Sequence, residues 1–452
     1  MSGVRIGARR RQPPLRAWTR GLIALTVVAW AAAPFAGVEL SLWILTLAGF
    51  AAVAAGYTKP AVGALGIAVL CTLDPVTRLF LMSGGLLRWN TLNYLLILLA
   101  FVYVRHLLRT GGASLSLLAA LTALFGLEIA ISAHPETGLE NVIPVAAAFG
   151  LIACLSRARG EPQVWHAMAL VTGTIGALGG FAFFALHETL INRNAWGWFP
   201  LTALLAIALA SAASPRGSGF ILVLLAFVNL TWTFLSASRG DLVVGLVVTV
   251  AIVLAGRAAG RRLVAATVAA AAAIAIGSHF IDLSDRAMAR LGMLTADDTL
   301  RQRTSGRSDL MRGGWYIFLD HPLGVGTGGF PAAWATLTDR PELTFHRGKA
   351  FNAHSGWVKT LAENGVPGFA LLLAFVFSFS VRALRGFGPG RWLGFVTTLV
   401  IATALLTTEF QGKGIWFLAA GTMALGGVRR IRRVAVTRSR LPARQPWRVA
   451  HG

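Results

Sequence analysis

Residues 306–330 read GRSDLMRGGWYIFLDHPLGVGTGGF, and residues 351–369 read FNAHSGWVKTLAENGVPGF. Between Arg307 and Gly368 the chain gathers Arg307, Asp309, Arg312, Asp320, His321, Lys349, Asn352, His354 and Glu363. Almost everywhere else it is apolar. The 452 residues are 56% hydrophobic and only 13% charged, with a mean hydropathy of +0.67. A soluble chain of this length could not hide that much apolar side chain. The contrast predicts an all-α, polytopic integral membrane protein. Its chemistry is expected where its titratable groups collect.

Working outward, a helical span needs about twenty apolar residues. Candidates fall near 20–36, 38–56, 60–74, 90–108, 114–133, 141–156, 164–187, 195–213, 218–236, 240–256, 261–281, 356–381, 391–408 and 412–428. Three of these (20–36, 60–74 and 141–156) are short, and merging or re-entry of an early pair gives about 12 transmembrane helices, within a range of 12–14. Either even count puts both termini on one side. The expected organisation is a basic tail over 1–19, a bundle over 20–281, a loop domain over 282–355, C-terminal helices over 356–428 and a second basic tail over 429–452.

Charge sets the orientation. The formal net charge is +23, and Arg supplies nearly all of the 41 basic residues. Many of those Arg sit in the two tails, which reads as cytoplasmic flanks of membrane helices and not as a nucleic-acid surface. With the N-terminus in the cytoplasm, most Lys and Arg fall inside. The short outside loops then carry only Arg78, Arg88, Arg193, Arg239 and Lys413. The segment 282–355 is thereby extracytoplasmic, which in a Gram-negative cell is periplasmic. LSDRAMARLGML and Ser308–Leu319 look helical within it, and HPLGVGTGGF ends the second of these in a tight loop. Cys71 and Cys154 lie in apolar runs and do not predict a disulfide. Ala31, Ala32 and Ala33 precede Pro34, so the first apolar run reads as an uncleaved helix.

The polar residues offer alternatives. Arg193 and Arg239 lie at outer mouths of spans. Each either pairs locally and anchors a helix, or faces one cavity together with Arg307 and Arg312. Several guanidiniums around one cavity need an anion, and their fork suits phosphate oxygens. His354 stands at a water interface just before a span, as a structural histidine or as a general base. Glu363, two turns into that span, either orients a partner or snorkels. No HExxH, paired CxxC or DxD motif indicates a metal, and Asp297-Asp298 reads as a solvated pair. Gly324, Gly326, Gly328 and Gly329 have no preceding strand and no GK[ST], so a tight turn outweighs a nucleotide cradle.

Three passages carry a family resemblance: SRGD at 238–241, the Arg307–Trp315 stretch running into DHPLGVGTGGF, and HSGWVKTLAENGVPGF from His354. Together they resemble the O-antigen ligases and the wider superfamily of O-antigen polymerases and protein O-oligosaccharyltransferases, most clearly over residues 230–370. The resemblance implies a GT-C-like glycosyltransferase with one large periplasmic loop containing helices, in the inner membrane. It implies transfer of a glycan from undecaprenyl diphosphate to a sugar hydroxyl of lipid A–core, inverting, metal-independent and without a cofactor. The catalytic histidine falls on His354. The diphosphate-binding arginines fall on Arg193, placed by its Arg-Asn dipeptide, and on Arg307, with Arg239 and Arg312 beside them. Lys349, Asn352 and Glu363 complete the expected substrate-contacting set. The competing readings are a polymerase or protein oligosaccharyltransferase of the same superfamily and, from another class, a transporter of anionic lipid or solute. A transporter predicts mid-span charges and an internal repeat. Here the charges crowd one outer face, and no repeat is visible.

Overall fold

The computed structural model describes residues 13–81, 91–110, 112–132, 134–158, 161–185, 193–213, 220–235, 243–250, 307–343, 348–384, 391–407 and 413–425. The expected span at 261–281, the helix LSDRAMARLGML, the Asp297-Asp298 pair, Arg239 and the two arginine-rich ends fall outside them. Every regular element among the described residues is a helix. In order they are α1 (Pro13–Ala36), α2 (Val38–Ala55), α3 (Pro60–Leu81), α4 (Thr91–Val102), α5 (Val104–Thr110), α6 (Ala113–Ile131), α7 (Pro135–Arg157), α8 (Pro162–Ala185), α9 (Arg193–Ala213) and α10 (Phe220–Leu235). After a helical stretch at 243–250 come α11 (Arg307–Asp320), α12 (Phe330–Thr336), α13 (Gly356–Leu384), α14 (Arg391–Thr407) and α15 (Lys413–Leu425).

Five of these helices are long and apolar enough to cross a membrane: those containing Leu15–Ala36, Ala113–Ala130, Pro135–Arg157, Pro162–Ala182 and Gly356–Leu384. Shorter apolar helices stand beside them. Helices such as α2 and α6 are apolar on every side, which suits lipid on one face and protein on the other. The chain is a multi-pass membrane protein. One large core joins the spans, with α8 against α9, α2 against α3, α4 against α7 and α13 against α14. With no water to drive association, close approach does the work. A Cβ on Gly150 would overlap the Leu96 carbonyl. Many buried threonine hydroxyls are satisfied within their own helices: Thr26 Oγ1 donates to Leu22 O at 2.6 Å and Thr72 to Ala68 O at 2.8 Å.

Helix boundaries differ from the hydropathy reading in three places. The stretch 90–108 is two helices, parted at Tyr103, whose ring lies 4.0 Å under the Arg157 guanidinium. Backbone hydrogen bonds continue through the turn, Tyr103 N–H to Leu99 O and Leu107 N–H to Tyr103 O, each at 3.0 Å. The short candidate at 141–156 begins earlier, at Pro135, where proline is well suited to the first helical turn. The candidate at 356–381 is one helix by hydrogen bonding but is broken at Gly365, with φ 58 and ψ −154. Charge is also present inside the bundle. Asp74 is 2% exposed and Lys413 1% exposed, and both act electrostatically on the Cys71 thiol, so they lie near one another.

Candidate functional site

The polar module is built on the break in α13. A second, smaller core joins Leu310 and Ile317 of α11, Phe330 and Trp334 of α12, Leu337, Leu343 and Ala353 of the following loop, and Ala362 of α13. Gly313 and Gly314 let α11 lie close. A Cβ on Gly313 would meet the Trp334 ring, and one on Gly314 would meet Val358. The sequence MRGGWY is therefore an apolar helix face notched at its centre.

The glycine loop after α11 fills the break. Val325 N–H donates to Ala362 O at 3.1 Å and Gly326 N–H to Glu363 O at 2.9 Å. Val366 N–H donates back to Pro322 O at 3.1 Å. Carbonyls freed where the helix stops are satisfied by the loop, strand-fashion. Gly324 has φ +94, and a Cβ there would overlap Glu363 O. The tight turn is the correct reading of these glycines, and the amides of Gly324, Gly326 and Gly329 are committed to the protein.

Side chains from distant spans lock the same place. Glu363 is 2% exposed. Its Oε1 accepts from Phe330 N–H at 3.2 Å, and its Oε2 accepts from Asn141 Nδ2 of α7 at 3.4 Å. Beside it, Asn364 Nδ2 donates to Glu128 Oε2 of α6 and to Thr327 Oγ1 at 2.7 Å. Thr327 Oγ1 in turn donates to Glu128 Oε2 at 3.0 Å. A Cβ on Gly328 would overlap the Gly138 backbone, and one on Gly138 would meet Ile129 and the Thr327 carbonyl.

His354 stands at the rim of the module. It is exposed and is the only described non-glycine residue with positive φ, at 51°. The left-handed conformation costs a β-carbon residue about 1–2 kcal/mol, so its surroundings hold it there. Ala353 before it is buried in the small core, and Phe351 meets the imidazole edge-on at 5.2 Å between ring centroids. After it, Ser355 Oγ donates to Leu405 O at 3.0 Å, and Trp357 Nε1 donates to Ala402 O at 2.9 Å, both on α14. The imidazole is thus presented outward from a backbone fixed on both sides.

The other expected residues distribute as follows. Arg307 opens α11 and is half-buried, while Arg312, five residues on, is exposed. Asn352 is half-buried, and its buried Oδ1 accepts no hydrogen bond among the described residues. Lys349 is exposed. Arg193 is the first residue of α9. The structure thus puts Arg307, Arg312, Asn352, His354 and Glu363 on one module. The sequence reading passed over Glu128, Asn141, Thr327 and Asn364. The available signal was a carboxylate in an apolar span, LFGLEIAI, which is expensive in lipid unless it has a partner. It also passed over Lys359, which is 2% exposed inside the first half of α13.

This architecture defines a class: a multi-pass membrane protein, helical throughout its described residues, with a clamped polar module built at a helix break. Residues 220–373, from the start of α10 into the second half of α13, match the model of the O-antigen ligase family. No curated protein matches the chain.

Proposed function

We propose that this protein is an O-antigen ligase of the inner membrane of a Gram-negative cell, with both termini cytoplasmic and the module facing the periplasm. The donor is a glycan on undecaprenyl diphosphate and the acceptor a sugar hydroxyl of lipid A–core. The observation that carries the reading is His354, an exposed imidazole held at positive φ between two anchored residues, on the module whose sequence matches the family.

The chemistry follows from the groups present. The acceptor oxygen attacks the anomeric carbon from the face opposite the diphosphate, so configuration inverts. His354 takes the hydroxyl proton as that bond forms. The bond from the anomeric carbon to the diphosphate oxygen breaks, and undecaprenyl diphosphate leaves with the electron pair. Arg307 and Arg312, together with Arg193 and Arg239, stabilise the charge that develops on the leaving group. Asn352 and Lys349 contact the sugars or phosphates from the loop. Glu363, whose carboxylate is spent on Phe330 and Asn141, positions the loop from behind and does not touch substrate. Holding two lipid-anchored reactants in one place supplies much of the rate. The glycosyl donor is already activated, so no cofactor or metal is required.

The test is transfer in vitro from a defined lipid-linked glycan to purified lipid A–core, in EDTA. His354→Asn is the informative variant, because asparagine tolerates the left-handed backbone and removes the base without distorting the loop. Transfer should fall by roughly 100-fold or more, with thermal stability unchanged. Near-normal transfer would remove His354 from the base role. If the wild-type protein instead joins one lipid-linked repeat to another, the enzyme is a polymerase.

A further inference from the structure

Helix α11 buries only one side. Leu310, Gly313, Gly314 and Ile317 face the small core. At the helical spacing of four, Met311, Trp315 and Leu319 form a stripe on the opposite side, 37%, 49% and 53% exposed. Leu323 extends it beyond the helix end at 79%. Arg307 and Arg312 stand to either side of the stripe, and the nearby Asp309 is buried. A tryptophan, a methionine and a leucine in one exposed helical stripe, continued by Leu323, form an apolar surface that marks an interaction site.

The occupant follows from continuity. The Val366 N–H bond to Pro322 O fixes Leu323 next to Val366, itself 56% exposed. From Val366 the exposed side of α13 runs on through Phe377 and Val381. The helix is long and apolar enough to cross a membrane, so its exposed apolar side suits lipid. The stripe on α11 is therefore the upper end of a surface already built for acyl chains. Apolar residues on one side and arginines at the edges are what an interfacial helix requires.

We propose that α11 is an interfacial helix, seated with Met311, Trp315 and Leu319 in the acyl edge of the leaflet that the second half of α13 enters. Its arginines then lie at the depth of lipid phosphates, which brings a lipid-borne anion to them by lateral diffusion. The proposal rests on the multi-pass fold and not on which glycan is transferred.

It is tested with an environment-sensitive fluorophore on Leu319→Cys, and separately on Trp315→Cys. The full-length protein is reconstituted in vesicles of phosphatidylethanolamine and phosphatidylglycerol. The unsubstituted chain, whose Cys71 and Cys154 are buried, is the blank, and Asp339→Cys, at an exposed loop residue, is the aqueous reference. The expected result is blue-shifted emission at 319 and 315, strong quenching by doxyl-labelled lipid and little by iodide, with the reverse at 339. Emission and quenching at 319 matching those at 339 would overturn the proposal. So would shielding from both quenchers, which would mean that protein covers the stripe. Neither readout requires transfer activity, so a failure here is separable from a failure of the ligase reading.

Discussion

The bundle and the module solve the burial of polar groups in opposite ways. In the bundle a few hydroxyls cross to a neighbouring helix, as Ser41 Oγ does to Ala29 O at 2.6 Å, but most threonine hydroxyls turn back on their own helices, as Thr172 does to Met168 O at 2.8 Å. Such a bond ties nothing to anything else. In the module, key polar side chains reach elements remote in sequence: Glu363 to Asn141, Asn364 to Glu128, Ser355 to Leu405. The bundle needs only apolar bulk and close approach. The module needs particular residues in particular places, because an unmet buried polar group costs more than a satisfied one returns. Substitutions should therefore be tolerated in one region and damaging in the other.

The largest effect is expected at Gly365. Its φ of 58 and ψ of −154 belong to glycine, and a Cβ would run into the Pro322 carbonyl and the Leu323 backbone. Strain and overpacking together cost about 4 kcal/mol for Gly365→Ala. A large fall in the detergent-solubilised melting temperature, read by tryptophan fluorescence, is the check. A variant that melts like the parent would mean that the helix break is not what holds the loop.

Next comes Glu363→Ala. It strips the acceptor from a buried amide, Phe330 N–H, and from Asn141 Nδ2. The cost is about 2–4 kcal/mol. With the carboxylate buried on Phe330 N–H and Asn141, a positioning role predicts that Glu363→Gln, which keeps one carbonyl oxygen, restores most of the stability and of the transfer rate. If Gln restores stability but not transfer, the negative charge itself acts in the reaction.

Glu128→Ala is smaller, since Glu128 is only partly buried. Asn364 Nδ2 keeps Thr327 Oγ1 as a partner, while the Thr327 hydroxyl loses its acceptor. About 1–2 kcal/mol is expected, with Glu128→Gln close to the parent. The readout that separates a positioning role from simple destabilisation is kcat against KM at a temperature where both variants are folded. A loosened loop lowers kcat.

How much of this was legible in the sequence follows the same division. The spans declare themselves through length and hydropathy, and the motifs at 307–330 and 354–369 located the module and its helix. The turn at Gly324–Gly329 was legible because glycines and a proline punctuate it. What could not be read was partnership. Nothing local in LFGLEIAI tells Glu128 that its partners are Asn364 and Thr327, some two hundred residues away. Nor does hydropathy reveal the interruption at Gly365, since GVPGFALLL scores as continuous span. Tyr103 is the same lesson in miniature, a single turn residue between α4 and α5 in what reads as one apolar run.

The smallest effect is the control that gives the others meaning. Gly126 sits inside α6, two residues before Glu128, and is exposed, with nothing within 4 Å of where a Cβ would go. It has helical geometry, so no left-handed conformation is at stake. Gly126→Ala should stabilise by about 0.5–1 kcal/mol through the lower entropy of the unfolded chain and better helix propensity. Gly126 and Gly365 are the same residue type in two apolar helices, and only the second stands at a break. A rise in melting temperature at 126 beside a collapse at 365 would show that glycine is structural where a loop must enter a span and incidental elsewhere. Loss of stability at both would mean that α6 is packed against something along this face, and that the distinction between bundle and module is drawn in the wrong place.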